Sequence, residues 1–376
     1  MNIAKVKKLI LPSVFSGFII AVSLLTFILP KREYSEAEKR YLAKFPEFNT
    51  ESVLNGEFQD GFEKYVSDHI LGRDFFVEIN SYFSLIMGRN SVSDIYHCKD
   101  GYLINAPKNC GTDTFKKNME NFNRFTKSVD IPSSLMIVPT AGYIMEDKLP
   151  LFHGEYNDGE LFELAASMTP DIGFIDTRNA LLSAVNGGGQ AYYRTDHHLT
   201  SEGTYAIYSL FCSINGISCP EKEWYNIKTA DGFRGTTLSG SGYGLVKPDT
   251  IEMWQGKDSV RVTVDDGKET EIYYGMFFEK HLEGDDKYPV FLGGNHALTT
   301  LENPDADEGT LLMIKDSYAH CFAPFLAHNY RRIYLIDMRY YRKSVSEFAR
   351  ENNVDEILYL YGTDSLLTDT NSAWLQ

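Results

Sequence analysis

Positive charge is scarce in this sequence, and its scarcity narrows the classes of protein to which the chain can belong. The 376 residues contain 36 Lys and Arg against 52 Asp and Glu, which gives a formal charge of −16 at pH 7. Nucleic-acid binders neutralise phosphates with Lys and Arg, so no nucleic-acid partner is expected. Hydrophobic residues still make up 43% of the chain, which is enough for a large core and too much for a wholly disordered protein.

Cysteine is equally scarce, with only five in the chain. Their positions form two close pairs and one singleton: Cys98, Cys110, Cys212, Cys219 and Cys321. At most two disulfides are therefore expected, Cys98 with Cys110 and Cys212 with Cys219. Such bonds persist outside the cytoplasm, and the alternative of five unpaired thiols stays open.

One long uncharged run lies near the N-terminus. Leu9 to Leu29 is long enough to cross the hydrocarbon layer of a bilayer as a helix. Lys5, Lys7 and Lys8 precede it and two basic residues follow, which slightly favours a cytoplasmic N-terminus and an exported remainder. No small-x-small cleavage site follows, so an uncleaved anchor is favoured over a signal peptide. Residues 1–32 are interpreted as a cytoplasmic tail and transmembrane anchor.

The remaining chain divides into two regions of different pattern. Residues 33–100 predict a helical tether and docking segment, whose amphipathic helices between Phe58 and Met87 are expected to pack on a core. Residues 101–376 alternate helices with short runs of branched apolar residues, which is typical of a mainly parallel sheet in a three-layer α/β/α domain. Within them, residues 224–303 predict a β-rich insertion. The expected buried strands are Leu135–Val138, Gly173–Asp176, Leu311–Ile314, Ile333–Ile336 and Glu356–Leu360.

An aspartate and two histidines, Asp196-His197-His198, come just before a predicted helix that is capped by Thr200 or Ser201. In an extended segment, residues two apart share a face, so Asp196 and His198 are expected to lie together while His197 points away. A carboxylate that holds one ring nitrogen leaves the other free to act as a base. The alternative is a surface turn with solvated histidines.

A serine lies where the predicted strand 311–314 runs directly into a helix. Ser317 would then stand at the carboxyl end of a sheet strand, where the active sites of α/β proteins collect and helix amides can stabilise an oxyanion. Alone, this serine would more simply cap the helix. With Asp196 and His198 it forms the Ser-His-Asp set used in acyl transfer, whatever the order in sequence.

The same residues carry a resemblance to a known family. Thr195-Asp196-His197-His198 with Thr200, then Lys315-Asp316-Ser317-Tyr318, then Asp337-Met338-Arg339-Tyr340-Tyr341 resemble the DHHW family. That family is similar to the periplasmic alginate O-acetyltransferases of the AlgX and AlgJ type, which carry an SGNH-hydrolase-like domain. Two departures stand out: Leu199 replaces the tryptophan of the family name, and Lys315-Asp316 replaces the Gly-Asp of SGNH enzymes.

The resemblance implies roles and partners. Asp196 and His198 would be the Asp-x-His pair and Ser317 the nucleophile, with a membrane-bound O-acyltransferase (MBOAT) supplying acetyl groups across the bilayer. Candidates for binding the oxyanion or substrate are Arg339, Tyr318, Asn295 and Gly294. Arg339 is alternatively a structural ion pair, and the glycines before Asn295 alternatively a plain turn.

Neither metal nor other cofactor is required by this chemistry. A di-metal site of the Asp-His-His type needs further ligands that the sequence does not supply, and the other seven histidines lack close metal spacing. The expected function is a membrane-anchored, extracytoplasmic O-acetyltransferase acting on an exopolysaccharide or cell-envelope glycan. The alternatives are a carbohydrate esterase with the same triad and a non-catalytic glycan-binding scaffold of an acetylation complex.

Overall fold

The computed structural model describes residues 3–35, 37–267, 269–284, 286–306 and 309–375, with side chains from residue 10 onward. Met1, Asn2 and the side chains of Lys5, Lys7 and Lys8, on which the expected topology partly rests, lie outside the described residues. Contacts divide the chain into unit 1, Met1–Val92 with Ser239–Gly244, and unit 2, Ser93–Leu238 with Leu245–Gln376. The domain boundaries expected from the sequence remain a prediction.

Helices account for much of both units. Their bounds are α1 Ile3–Ile28, α2 Thr50–Leu54, α3 Glu57–His69, α4 Arg73–Ile86, α5 Asp113–Val129, α6 Ala141–Ile144, α7 Asp158–Met168, α8 Arg178–Asn186, α9 Ser201–Asn215, α10 Thr236–Ser241, α11 Ala319–Leu326, α12 Val345–Glu351 and α13 Thr363–Thr368.

The strands are mostly short. Their bounds are β1 Tyr34–Ser35, β2 Arg40–Tyr41, β3 Ser91–Val92, β4 Ile95–His97, β5 Leu103–Asn105, β6 Ser133–Val138, β7 Gly173–Asp176, β8 Asn226–Phe233, β9 Asp249–Gln255, β10 Arg261–Asp265, β11 Thr270–Tyr274, β12 Leu298–Glu302, β13 Thr310–Lys315, β14 Arg332–Ile336 and β15 Glu356–Gly362.

An 8-stranded sheet in the order β11-β10-β12-β14-β13-β15-β6-β7 organises unit 2. The segment β14-β13-β15-β6-β7 is parallel and contains all the strands expected from the apolar runs. Successive residues of β13 alternate between two cores, Leu311 and Met313 on one face and Leu312 and Ile314 on the other. Each face of the sheet therefore packs against its own core, which is covered by helices. This arrangement confirms the predicted three-layer α/β fold with a mainly parallel sheet.

The predicted β-rich region contributes strands in two places. β8 and β9 form an antiparallel pair of their own. β10, β11 and β12 instead pair antiparallel onto the edge of the main sheet at β14. The region also holds the short 3₁₀ turn Tyr288–Val290, which lies over the candidate site.

Unit 1 contains the long apolar helix expected at the N-terminus. Within α1, Ile10–Ile28 has a mean hydropathy of 2.1 and is almost wholly exposed, so it is long and apolar enough to cross a membrane. A membrane anchor and a signal sequence both fit this helix.

The segment after α1 is held to α3 and α4 by ion pairs. Glu38 pairs with Arg73, and Arg40 with Asp68, both at 2.5 Å. The hydrogen bond from Arg40 lowers the pKa of Asp68 to about 2. The expected break between the helices falls at Gly72, where φ is 75°. The expectation that the helices bury their apolar residues in a core is wrong for α4, whose apolar side chains are exposed.

Candidate active site

Three side chains predicted from distant parts of the sequence lie in one hydrogen-bonded chain. The Ser317 hydroxyl is 2.7 Å from Nε2 of His198, and Nδ1 of His198 is 2.5 Å from Oδ1 of Asp196. Asp196 is 1% exposed and His198 5% exposed, while Ser317 is only partly buried. The nucleophile candidate is therefore reachable while the groups behind it are shielded from water.

A tight loop places Asp196 and His198. Oδ1 of Asp196 accepts the backbone N–H of His198 at 3.0 Å, a local bond typical of aspartate in turns. The loop bends at residues 194–198, so the expected extended geometry fails and the ring of His197 lies 3.9 Å from that of His198. Thr200 caps the following helix α9, as expected, by accepting from the N–H of Gly203.

A second aspartate, missed by the sequence analysis, holds this loop in place. Asp249, at the start of β9, accepts from the backbone N–H groups of Arg194 and Thr195 at 3.0 and 2.8 Å. It also accepts the hydroxyl of Thr195 at 2.6 Å. Because Asp249 lies more than fifty positions away and in no recognisable motif, only the tertiary structure reveals this contact.

Asp196 is held ionised by its surroundings. Burial alone would raise the pKa of Asp196, but the electrostatic interaction with His198 and hydrogen bonds from His198 and the backbone of Thr236 bring it well below the usual value. Its second oxygen, Oδ2, accepts from the backbone N–H and the hydroxyl of Thr236 at 2.7 and 2.9 Å. A carboxylate so fixed orients the imidazole and can stabilise its protonated form.

Ser317 follows β13 at the carboxyl edge of the parallel strands. Its side chain does not cap α11, whose N-cap is Tyr318 and has no side-chain capping bond. Asp316 fixes the turn by accepting from the N–H groups of Tyr318 and Gly362 at 3.0 and 2.8 Å. The N–H of Ser317 donates to no group in the described part of the chain, so it is available to an oxyanion.

Tyr288 covers the imidazole and was not predicted. Its ring stacks on that of His198 with centroids 3.9 Å apart and planes inclined by 13°. Its hydroxyl donates to the carbonyl of Ser317 at 3.3 Å. Burial raises the pKa of Tyr288 well above its usual value, so the hydroxyl keeps its proton. One tyrosine thus touches both the base candidate and the turn that carries the nucleophile candidate.

Tyr318 is a second tyrosine in contact with the imidazole. Its hydroxyl donates to the carbonyl of His197 at 2.9 Å, and its ring meets that of His198 edge-on at 5.3 Å. Gly362 permits this position, because a Cβ there would lie 2.4 Å from the tyrosine ring. Tyr318 also lines a neighbouring cavity, where the sequence analysis expected it to contact substrate.

Arg339 and Asn295 form the solvent-facing end of a charge network whose inner members, Lys315, His320 and Asp337, are buried. Nζ of Lys315, 2% exposed, lies 2.8 Å from Nε2 of His320 and 3.0 Å from Oδ2 of Asp337. The guanidinium of Arg339 binds Asp337 at 2.6 Å and donates to Oδ1 of Asn295 at 3.0 Å. The structural ion pair considered for Arg339 is therefore present, and the Asn295 carbonyl is used to bind it.

The network holds two cationic side chains, Lys315 and Arg339, against one carboxylate, Asp337. Burial lowers the pKa of Lys315, although the charge of Asp337 opposes this shift. Burial and the charge of Lys315 lower the pKa of His320 well below its usual value, so its ring is neutral. The Lys315 ammonium stands two residues before Ser317, at the position where SGNH enzymes have glycine. His320 is one of the seven histidines that lack close metal spacing, and nothing in the sequence indicated that it joins this network.

Gly294 and Leu199, two further positions singled out in the sequence, have local structural roles. Gly294 has φ of 94°, which fits the plain turn considered for this segment. Leu199, at the family's tryptophan position, is 2% exposed and packs in the core of unit 2. Leu199 therefore fills a core position and leaves the contacts of His198 undisturbed.

The expected disulfides are absent: all five cysteines are free. Cys98 is buried with Sγ 3.7 Å from the carbonyl of Tyr96, whereas Cys110 is exposed. Cys219 Sγ lies 3.4 Å from the hydroxyl of Ser209, and Cys212 is buried in the core. The Cys212 and Cys219 thiols lie close enough to interact but are not bonded to each other.

Asp196, His197 and His198 also offer three ligand atoms within 4.8 Å of one another. Both ring nitrogens of His198 already bind Asp196 and Ser317, and Nδ1 of His197 lies 3.0 Å from the hydroxyl of Thr236. A metal ion would have to replace these bonds. The arrangement therefore favours proton transfer over metal binding.

Comparison with known proteins supports the fold. The crystal structure of a DHHW family protein from Eubacterium siraeum has a TM-score of 0.67 and 22% identity, covering 75% of this chain and 94% of that one. Bacillus cereus PatB1 with a sulfonyl adduct has a TM-score of 0.63 and 17% identity, covering 75% and 98%. The O-acetyltransferase domain of Pseudomonas putida AlgJ has a TM-score of 0.47 and 12% identity, covering 73% and 92%.

Sequence comparison gives two results. No curated protein matches the chain significantly. The family model named DHHW protein matches residues 136–336, which is more than half of the chain and includes Asp196, His198 and Ser317. The chain therefore belongs to the DHHW family.

Proposed function

We propose that this protein is a membrane-anchored, extracytoplasmic O-acetyltransferase that acts on an exopolysaccharide or cell-envelope glycan. The observation that carries the proposal is the hydrogen-bonded chain from Ser317 through His198 to Asp196. The fold relative PatB1 has been solved with a sulfonyl adduct, and sulfonyl groups attach to activated nucleophiles. Acetyl as the transferred group and glycan as the acceptor come from the family resemblance.

In the first step, Oγ of Ser317 attacks the acetyl carbonyl of the donor while its proton passes to Nε2 of His198. The tetrahedral intermediate collapses, and the donor oxygen leaves with that proton, which gives an acetyl-serine. In the second step, His198 takes the proton of a sugar hydroxyl as its oxygen attacks the acetyl-serine. Return of the proton to Ser317 Oγ completes the cycle and releases the O-acetylated sugar.

The oxyanion of each intermediate would be bound first by the free N–H of Ser317. Lys315, in the network behind the serine, adds positive potential in a buried environment, where charges act more strongly than in water. Arg339 contributes through this field while it remains bound to Asp337. Asn295 would orient the Arg339 guanidinium through their hydrogen bond, and Gly294 would shape the turn that carries Asn295.

Anchoring through α1 would place the catalytic domain outside the membrane, next to its glycan. An acetyl group from cytoplasmic metabolism must then cross the bilayer, which is the role proposed for an MBOAT partner. Without such a partner, we expect the isolated protein to accept acetyl groups only from an activated ester in the medium.

Product analysis separates transferase from esterase. Purified protein given p-nitrophenyl acetate and neutral oligosaccharides should yield acetylated sugar, detected by mass spectrometry. Release of acetate alone, unchanged by acceptor, would instead favour the carbohydrate esterase. If Ser317→Ala left biological acetylation intact, the non-catalytic scaffold would be the better description.

Loss of the tyrosine ring over His198 should slow catalysis without unfolding the site. We expect Tyr288→Leu to lower kcat for p-nitrophenyl acetate by about 10- to 100-fold, because a misoriented base loses the alignment that proximity catalysis requires. Tyr288→Phe keeps the stacked ring and loses only the hydroxyl, so about tenfold or less is expected. Equal losses in both variants would show that stacking has no role.

Metal removal should have no effect. Exhaustive dialysis against EDTA is expected to leave kcat within about twofold, because the serine mechanism needs no Lewis acid. Loss of activity that zinc or another divalent ion restores would contradict the proposed mechanism and favour a metal bound by Asp196, His197 and His198.

A further inference from the structure

A cavity of about 220 Å³ lies at the carboxyl edge of β6 and β15 in unit 2. Its wall includes His197 and Tyr318, the sequence neighbours of His198 and Ser317. Polar side chains from α13 and from the start of α10 complete it, among them Asp364 and Thr237. Several hydrogen-bonding atoms in this wall have no partner among the described residues.

His197 presents a hydrogen-bond acceptor to this cavity. The hydroxyl of Thr236 donates its single proton to Oδ2 of Asp196, so it must accept from Nδ1 of His197, 3.0 Å away. Burial lowers the pKa of His197 to about 4, which keeps the ring neutral. Nε2 therefore carries a lone pair, and it meets no donor within the described chain.

Two more groups in the cavity lack partners. The Asp364 carboxylate makes no hydrogen bond or ion pair with the described residues, although it is half-buried. The Thr237 hydroxyl is completely buried and likewise unpartnered in the described structure. Buried polar atoms normally have partners, so unsatisfied ones mark a place where a ligand or water completes the set.

From this juxtaposition we infer that the cavity binds hydroxyl groups of the acceptor, a neutral sugar ring. His197 Nε2 and the Asp364 carboxylate would accept from sugar O–H groups. The acyl group of the donor offers no O–H. The cavity wall carries one acid, Asp364, and one base, Lys108, whose opposite charges offset each other and favour a neutral sugar. The inference rests on the proposed function and names where its acceptor sits.

Binding tests the cavity separately from the chemistry. Ser317→Ala protein is titrated by calorimetry with neutral β-1,4- and α-1,4-linked gluco-tetrasaccharides, and the same is done after adding Asp364→Ala. We expect the second substitution to raise Kd at least about tenfold, and Asp364→Asn, which keeps one carbonyl oxygen, to raise it less. Glu160→Ala is the control, because it also removes an acid from the first turn of a helix but lies outside the cavity.

The outcomes separate the two proposals. Unchanged affinity in Asp364→Ala, or the absence of binding by either tetrasaccharide, would overturn the cavity assignment. Turnover of p-nitrophenyl acetate by the control variant Glu160→Ala should stay within about threefold of wild type, because Glu160 lies outside both the cavity and the triad. Failure of the wild type to turn over the ester would count against the acyltransferase and leave the binding result standing.

A second inference concerns unit 1 alone. In α4, large apolar side chains are exposed while two serines are buried. Five of its large apolar side chains are 43–81% exposed, and they are Phe75, Phe76, Ile79, Phe83 and Ile86. Its buried positions are instead serines, Ser81 at 1% and Ser84 at 8%. At 100° per residue, the exposed set falls within an arc of about 100° that excludes both serines.

Contacts within unit 1 settle which side faces the protein. The Ser81 hydroxyl donates to the carbonyl of Ser241 at 2.8 Å, and Ser241 belongs to the same unit. The side of α4 that carries Ser81 and Ser84, together with the half-buried Val77 and Leu85, therefore packs inward. The five exposed apolar side chains form an aromatic stripe that faces out. Soluble proteins rarely leave a contiguous apolar surface of this kind uncovered.

The position of α4 along the chain identifies what covers the stripe. The N–H of Leu71, just before α4, donates to the hydroxyl of Thr26 at 3.1 Å. The ring of Phe27 stacks with that of Phe62 at 6.3 Å. Thr26 and Phe27 are near the end of the stretch that can span a bilayer, so α4 begins at the level where that stretch ends.

We propose that α4 lies in the membrane interface with its aromatic stripe among the lipid chains. Such in-plane helices bury one apolar face at the boundary between headgroups and acyl chains. The proposal depends on α1 being retained as an anchor. Its main rival occupant, the membrane helices of a partner protein, would leave the stripe out of lipid when the protein is alone.

Quenching by brominated lipid tests this placement in the full chain. Phe83→Trp protein is reconstituted into phosphatidylcholine vesicles with brominated acyl chains and compared with wild type, whose three Trp supply the background. We expect a blue-shifted emission that brominated lipid quenches by at least about half. Glu78→Trp, on the same helix outside the apolar arc, is the control and should be quenched much less.

Two results would overturn the proposal. One is an unquenched, water-like emission from Phe83→Trp in protein that floats with the vesicles, which would favour a protein partner on the stripe. The other is failure of the full chain to float, which would remove the anchor itself. Neither result bears on the Ser317 chemistry, so this proposal and the proposed activity can fail separately.

Discussion

Replacing Ser317 with alanine is expected to lower acetyl transfer by at least about 10⁴-fold, because the acyl-enzyme can no longer form. The hydroxyl bonds only to Nε2 of His198 among the described residues. Its loss should therefore cost about 1 kcal/mol of stability and leave the fold intact. Transfer is measured as acetylated oligosaccharide formed from p-nitrophenyl acetate, and stability by thermal unfolding.

Ser344→Ala provides a matched control for that variant. The Ser344 hydroxyl caps α12 by accepting from the N–H of Glu347 at 3.2 Å. Its removal is expected to cost about 1 kcal/mol of stability, with no change in rate. If Ser317→Ala were no slower than this control, the serine would not be the nucleophile.

Replacing Asp196 with asparagine should have an effect nearly as large, about 10⁴-fold on kcat, by fixing the wrong histidine tautomer. Thr236 donates twice to Oδ2, so the variant's carbonyl oxygen would occupy that side. The amide NH₂ would then face Nδ1 of His198 and force the proton onto Nε2. A ring protonated there cannot accept the proton of Ser317.

Asp158→Asn is the control for this second variant. Asp158 is equally buried and accepts from the N–H and hydroxyl of Thr140 at 2.7 and 2.9 Å, the same pattern that Asp196 has with Thr236. It has no contact with His198, so less than about tenfold loss is expected. Similar losses in the two variants would indicate damage to the fold rather than a tautomer effect. Rates are compared at the same acetyl-ester concentration.

Much of the fold was predictable because its signals are local. Each parallel strand is a continuous apolar run, as at Leu311–Ile314, since both faces of the sheet are buried. Ser317 could be placed at the edge of the sheet in advance, because it directly follows a strand. Asp196 and His198 could be paired with it through the Ser-His-Asp set alone, since their loop does not follow a strand of the sheet.

What could not be predicted depends on tertiary contacts. Tyr288 belongs to a short 3₁₀ turn in the β-rich region, and nothing in its neighbourhood signals that its ring stacks on His198. Asp249 and His320 act through partners on other elements. α4 shows the opposite failure: its helical periodicity was read correctly, but periodicity does not say whether the apolar face meets a core or another environment.

Covalent labelling tests the central claim most directly. Wild-type protein treated with a serine-directed fluorophosphonate should gain one adduct by intact mass, mapped by peptide sequencing to Ser317, and Ser317→Ala should gain none. Asp196→Asn should react much more slowly, since it lacks a competent base. An adduct at another serine, or equal labelling of Ser317→Ala, would contradict the proposed nucleophile.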